Sequence, residues 1–134
     1  MFDSISVEYD LLNRILTFGS DIRWRKKIVS IARTSNPKHI LDIATGTADI
    51  ALELSKINDS KITGVDISRK MLEVGRTKIK LRKLSNQIVL ESGDAECLNY
   101  SDESFDLVTI GFGVRNFQNL EKGLKESNRV LKKG

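Results

Sequence analysis

A chain of 134 residues with 40% hydrophobic and 30% charged residues is an ordinary globular composition, long enough for one buried core and not for several. One cysteine and one histidine, Cys97 and His39, exclude an internal disulfide framework and a Cys/His metal cluster, so no metal site is expected. No apolar run is long enough to span a bilayer, and the acidic start "MFDSISVEYD" is unlike a secretion signal, which reads as a cytoplasmic protein.

The first third has helical spacing. "YDLLNRILTF" sets Leu11, Leu12, Ile15 and Leu16 at helix-like intervals, and "DIRWRKKIVSIA" does the same with Ile22, Ile28, Ile31 and Ala32. A helical cap over residues 1–36 is therefore expected, closed by "TSNPK" with Pro37 as punctuation. Beyond it, four short apolar runs alternate with longer amphipathic segments: "HILDIA" from His39, "KITGVDI" from Lys61, "IVLESGD" from Ile88 and "FDLVTIGF" from Phe105. Helices are predicted over Asp49–Lys56, over Ser68–Lys83 with Ser68 as cap and Leu72, Gly75 and Ile79 inward, and over the segment from Asn119. This alternation predicts an α/β fold: a parallel sheet with helices on both faces, occupying residues 37–134.

In such a sheet the ligand crevice lies at the carboxyl ends of the strands. The first strand ends in "DIATGTAD", a strand-to-helix turn that can aim backbone N–H groups at a ligand, with Gly46 where a side chain is least tolerated. The G-x-G-x-x-G dinucleotide pattern is missing; Ala44, Gly46 and Ala48 alternate instead. Asp66 ends the second strand twenty positions after Gly46, a spacing at which a carboxylate accepts from ribose hydroxyls, with a helix cap as the alternative role. Asp94 ends the third and can accept from an exocyclic amine while Ala95 offers a backbone N–H, although a plain surface turn has the same appearance. Three acidic strand ends, Asp42, Asp66 and Asp94, would repel a pyrophosphate but suit an adenosine with a cationic tail, which is the chemistry of S-adenosylmethionine.

The sequence resembles the class I S-adenosylmethionine-dependent methyltransferases and, within them, the ubiquinone/menaquinone biosynthesis C-methyltransferase family (UbiE/MenG type). The resemblance covers nearly the whole chain through "YDLLN", "LDIATGTADIALEL", "GVDISRKML", "GDAECLNYSDESFDLVTIGFGVRN" and "ESNRVLKKG". It implies a Rossmann-like domain and cofactor roles for Asp42, Gly46, Thr47, Asp66, Ile67, Met71, Asp94, Ala95 and Gly111. It also implies C-methylation of a demethylmenaquinol or related quinol, with Arg115, Asn116 and Tyr9 as the residues expected to act on that substrate. Two departures stand out: Ala48 where the family commonly has glycine, and "LKKG" in place of "LKPGG" where the family continues. The chain is therefore expected to be the N-terminal portion of a longer protein, with C-terminal strands missing and an exposed sheet edge.

Rival readings are a methyltransferase for another small molecule or for RNA, and a non-catalytic adenosine-binding remnant. Phe18, Trp24 and Phe112 are candidates for an apolar slot or for core, and His39 and Cys97 for structural roles. In "RKMLEVGRTKIKLRK" seven residues are basic and only Glu73 is acidic, which reads first as a solvated helix face. Contact with anionic lipid is the weaker reading of that run, consistent with a peripheral position at a membrane; without interleaved aromatics no nucleic-acid partner is expected, and self-association stays open.

Overall fold

The computed structural model describes residues 15–17, 22–110 and 120–132, with side chains over 26–110 and 121–132. Five parallel strands form one sheet: β1 (Ile15–Thr17), β2 (His39–Ile43), β3 (Lys61–Asp66), β4 (Ile88–Ser92) and β5 (Leu107–Ile110), in the order β1-β5-β2-β3-β4. The helices are α1 (Ile22–Arg33), α2 (Asp49–Leu54), α3 (Arg69–Leu81) and α4 (Leu120–Val130). The α/β alternation, the parallel pairing and all four strands expected after Pro37 are present, the first three ending one or two residues early and the fourth beginning at Leu107 and not at Phe105.

One expectation fails. The spacing of Ile15 and Leu16 predicts a helix, yet Ile15–Thr17 pairs in parallel with Val108–Ile110 as a fifth strand. A short Ile-Leu-Thr run suits a strand as well as a helix, and the unpaired backbone along β5 offers hydrogen bonds that an isolated helical turn cannot match. This segment lies along β5 and is itself one edge of the sheet, with β4 the other. Residues 1–14 and 18–21 lie outside the described residues, and with them the rest of the expected first helical segment.

Alternation along the strands builds a core on each face of the sheet. Ile40, Ile62, Ile88, Leu90 and Leu107 pack with Ile28, Leu54, Leu72 and Ile79 from α1, α2 and α3. Leu41, Ile43, Val65, Val108 and Ile110 pack instead with Leu98, Phe105, Val130 and Leu131. Each fully buried Ile or Leu contributes about 1.5–3 kcal/mol, so these two layers dominate the stability. As its spacing predicted, α3 turns Leu72, Gly75 and Ile79 inward, and Ser68 caps it by accepting from the Met71 N–H at 3.3 Å.

No helix bridges β4 and β5 among the described residues; a loop does, and Arg129 of α4 pins it. Its guanidinium donates to the Leu98 and Tyr100 carbonyls at 2.9 and 2.7 Å and to the carboxylates of Asp102 and Glu126 at 2.8 Å each. Glu126 in turn accepts from the Leu98 N–H, closing the network.

At the ligand end of the sheet, Gly64 of β3 lies in register beside Asp42 of β2. A Cβ at Gly64 would stand 2.7 Å from Thr45 Oγ1 and 2.7 Å from Leu90 Cδ2, so the missing side chain is the space into which Thr45 folds. Gly64→Ala is expected to cost about 1–3 kcal/mol, the range for overpacking a filled core. Chemical denaturation checks this; an unchanged midpoint would show that Thr45 moves aside freely.

Candidate cofactor site

The turn after β2 depends on backbone that L-residues rarely adopt. Ala44, Gly46 and Ala48 have φ of 59°, 58° and 71°, three left-handed residues at alternate positions. The two alanines cost roughly 1–2 kcal/mol each. They are held there by the Thr45 N–H donating to the Val65 carbonyl at 3.0 Å and by the Ala48 N–H donating to the Thr45 carbonyl at 2.9 Å. Ala48, fully buried, then opens α2 directly from its left-handed conformation, without a side-chain cap.

Beneath the turn lies Asp42, with no exposed surface. Its two oxygens accept from Thr109 Oγ1 at 2.7 Å and Thr45 Oγ1 at 2.8 Å. Burial raises the carboxyl from the ordinary range to about 7; the Thr109 and Thr45 hydroxyls oppose that rise, and the nearby Asp66 charge adds to it. Thr109 is the in-register partner of Asp42 on β5, so one carboxyl group ties the turn to two adjacent strands. Of the cofactor residues expected from sequence, Asp42 is the one whose carboxylate does not reach the surface.

Asp66 stands at the end of β3. Oδ2 accepts from the Gly46 N–H at 2.8 Å and Oδ1 from the Ser68 N–H at 2.9 Å. These two bonds fix the carboxylate rotamer and leave each oxygen further lone-pair capacity. Ser68 carries the cap of α3, so Asp66 is not its side-chain cap. Next to Asp66, Ile67 is 75% exposed, and Met71 lies against Gly46, its Cε 3.9 Å from where a Cβ there would be. The Gly93 N–H donates to the Asp66 carbonyl at 3.1 Å, bringing the end of β4 alongside. There Asp94 Oδ1 accepts from the Glu96 N–H at 2.9 Å in a tight turn, Oδ2 has no protein partner among the described residues, and Ala95 is partly buried.

Thr47 is held from α3, because Lys78 Nζ donates to Thr47 Oγ1 at 3.0 Å and to Asp49 Oδ1 at 2.9 Å. The structure thus brings Gly46, Thr47, Asp66, Ile67, Met71, Asp94 and Ala95 to one end of the sheet. Tyr9, Gly111, Arg115 and Asn116 lie outside the described residues, as do Phe18, Phe112 and the Trp24 side chain. Thr45, Gly64, Lys78 and Thr109 carry no sequence signal of a role in the site beyond the three-residue spacing of Asp42 and Thr45. Among the described residues no group of His, Cys, Asp and Glu could hold a metal. The site offers carboxylates, backbone N–H groups and aliphatic surface, a donor set that fits an adenosine bearing a positive charge and disfavours a pyrophosphate.

The raised Asp42 carboxyl has a defined effect on stability. Its folded value of about 7 lies above the unfolded carboxylate value, so the folded state holds an extra proton between them and loses stability as pH rises through that window. Relative to an Asp42→Asn variant, the parent is expected to lose on the order of 2–4 kcal/mol between pH 4 and pH 7.5. Parallel stability curves for the two proteins would show that Asp42 does not titrate this way.

Comparison with known proteins agrees with this geometry. The family model described as the ubiE/COQ5 methyltransferase family matches residues 1–134. The chain is 43% identical to the demethylmenaquinone methyltransferase of Bacteroides fragilis and 45% to that of Thermotoga maritima, covering 100% and 99% of this chain and 55% and 56% of those proteins. It is 42% identical to the ubiquinone/menaquinone biosynthesis C-methyltransferase UbiE of Geotalea uraniireducens, over 98% of this chain and 57% of that one. The chain therefore spans little more than half the length of these relatives. Among solved structures, the YcgJ protein of Bacillus subtilis superposes with a TM-score of 0.71 at 26% identity, over 78% of this chain and 46% of that one. An S-adenosylmethionine-dependent methyltransferase of Aquifex aeolicus shares the fold, with a TM-score of 0.65 at 20% identity over 84% of this chain and 68% of that one. The fold is the Rossmann-like one of class I methyltransferases, the family's cofactor is S-adenosyl-L-methionine, and the chain belongs to the ubiE/COQ5 methyltransferase family.

Proposed function

We propose that this chain holds S-adenosylmethionine for C-methylation of a demethylmenaquinol or a closely related quinol. The observation that carries the reading is Asp66, locked by the Gly46 and Ser68 N–H groups beside the exposed Ile67 and within reach of the Gly46 turn. The names of the relatives supply the quinone substrate class.

In this reading Asp66 accepts from the ribose hydroxyls, Ile67 and Met71 cover the adenine, and Asp94 with Ala95 meets its amino edge. Gly46 and Thr47 give the ribose and tail close approach to backbone, with Lys78 holding Thr47 in place. Asp42 acts through Thr45 and Thr109, as a positioning residue. The bound cofactor supplies a methyl group already activated on a sulfonium, so the protein's task is to align the groups and exclude water. We assign Gly111 to the cofactor side and Arg115, with Asn116 and Tyr9, to the substrate hydroxyl, where a cation stabilises the phenolate that makes the neighbouring ring carbon nucleophilic.

Asp66→Ala is expected to weaken S-adenosylmethionine binding by about 1.5–3 kcal/mol, the range for hydrogen bonds to a charged group, read by titration calorimetry. Unchanged affinity would remove Asp66 from the site. Arg115→Ala, in this chain joined to the C-terminal remainder of the Thermotoga maritima relative, is expected to keep cofactor affinity and to lower methyl transfer to demethylmenaquinol by roughly 10²–10³. Methyl transfer at the parental rate would leave Arg115 without a catalytic role.

A further inference from the structure

We propose that the outer face of α3 is the surface by which this protein docks on an anionic lipid bilayer, with the cofactor turn at one end of the contact. The inference rests on the quinol reading, since a quinol with an isoprenoid tail is drawn from a membrane.

The inner face of α3 is spent on Leu72, Gly75 and Ile79, so what it turns outward needs no role in the core. Two of those outward residues are aliphatic: Val74 is 49% exposed and Leu81 is 78% exposed, two helical turns apart on one side. Around them stand Arg69, Lys70 and Lys80 of the helix, with Arg82 and Lys83 just past its end, all exposed and without an acidic partner among the described residues; Glu73 is the one exposed acid on the helix. Lys78 differs, being tied to Thr47 and Asp49, and Arg76 donates to the Leu90 carbonyl. Clustered free cations on a helix suit anionic headgroups, and aliphatic side chains among them suit the acyl boundary just below. Nucleic acid shares the charge preference but stacks on aromatic rings, and this face has none. The same helix starts at the Gly46 turn, next to Ile67 and with Met71 in its first turn, so a bilayer against it lies next to the residues assigned to the adenine.

The test is sedimentation of the chain with vesicles of pure phosphatidylcholine and of phosphatidylcholine with 30% phosphatidylglycerol, at about 0.1 M salt. The expected result is binding to the anionic vesicles only, weakened roughly 10- to 30-fold by Lys80→Gln with Lys83→Gln, at about fivefold per charge. Leu81→Ser is expected to weaken it several-fold more than it weakens binding to polyuridylate. S-adenosylmethionine affinity, measured on the same variants, should stay at the parental value and tests the cofactor reading independently. No sedimentation with anionic vesicles, or binding indifferent to both the lysines and Leu81, overturns the proposal. So does binding of polyuridylate tighter than of anionic vesicles and indifferent to Leu81.

Discussion

The structure turns on one buried carboxyl group. Asp42 lies in the middle of the sheet, flanked in register by Thr109 on one side and Gly64 on the other. A charge so placed would be expensive, and two hydroxyl donors only partly compensate, which is why the group holds its proton up to about 7. What it secures is position: the Thr45 hydroxyl is drawn down over Gly64, and the chain after β2 must turn immediately. Removing the carboxyl would leave two buried hydroxyls to find partners elsewhere, at about 1–3 kcal/mol each if they find none.

From that anchor the rest of the site follows by short steps. With Thr45 fixed, the backbone passes through left-handed residues at Ala44, Gly46 and Ala48, and the Gly46 N–H points at Asp66. Asp66 then sets the start of α3 through the Ser68 N–H, and α3 returns Lys78 to Thr47 and Asp49. Strand end, turn and helix thus hold each other in a closed circuit of hydrogen bonds. Glycine is the ordinary residue for such backbone, but two alanines are retained within a circuit that over-determines their conformation.

Much of this was legible in the sequence. Strand and helix identities after Pro37 were carried by apolar runs of fixed length, and Leu72, Gly75 and Ile79 by their spacing, because burial imposes period on sequence. The acidic strand ends were visible because Asp42, Asp66 and Asp94 each follow an apolar run. What was hidden depends on register or on distant pairing. Thr109 meets Asp42 across 67 residues, and Lys78 meets Thr47 across 31, separations at which a single sequence holds no signal. Ile15–Thr17 illustrates the opposite limit: three aliphatic or β-branched residues fit both periods, and only the open edge of β5 decides between them.

In the proposed function, acidic strand ends over a glycine turn select a cationic adenosine ligand over a phosphorylated one. The direct measurement is titration of the folded chain with S-adenosylmethionine, and separately with NAD and ATP, at equal ionic strength. Saturable binding of S-adenosylmethionine is expected, with at least tenfold weaker binding of both phosphorylated nucleotides, a difference of about 1.4 kcal/mol or more. Binding of NAD or ATP as tight as that of S-adenosylmethionine, by a chain shown to be folded, would contradict it.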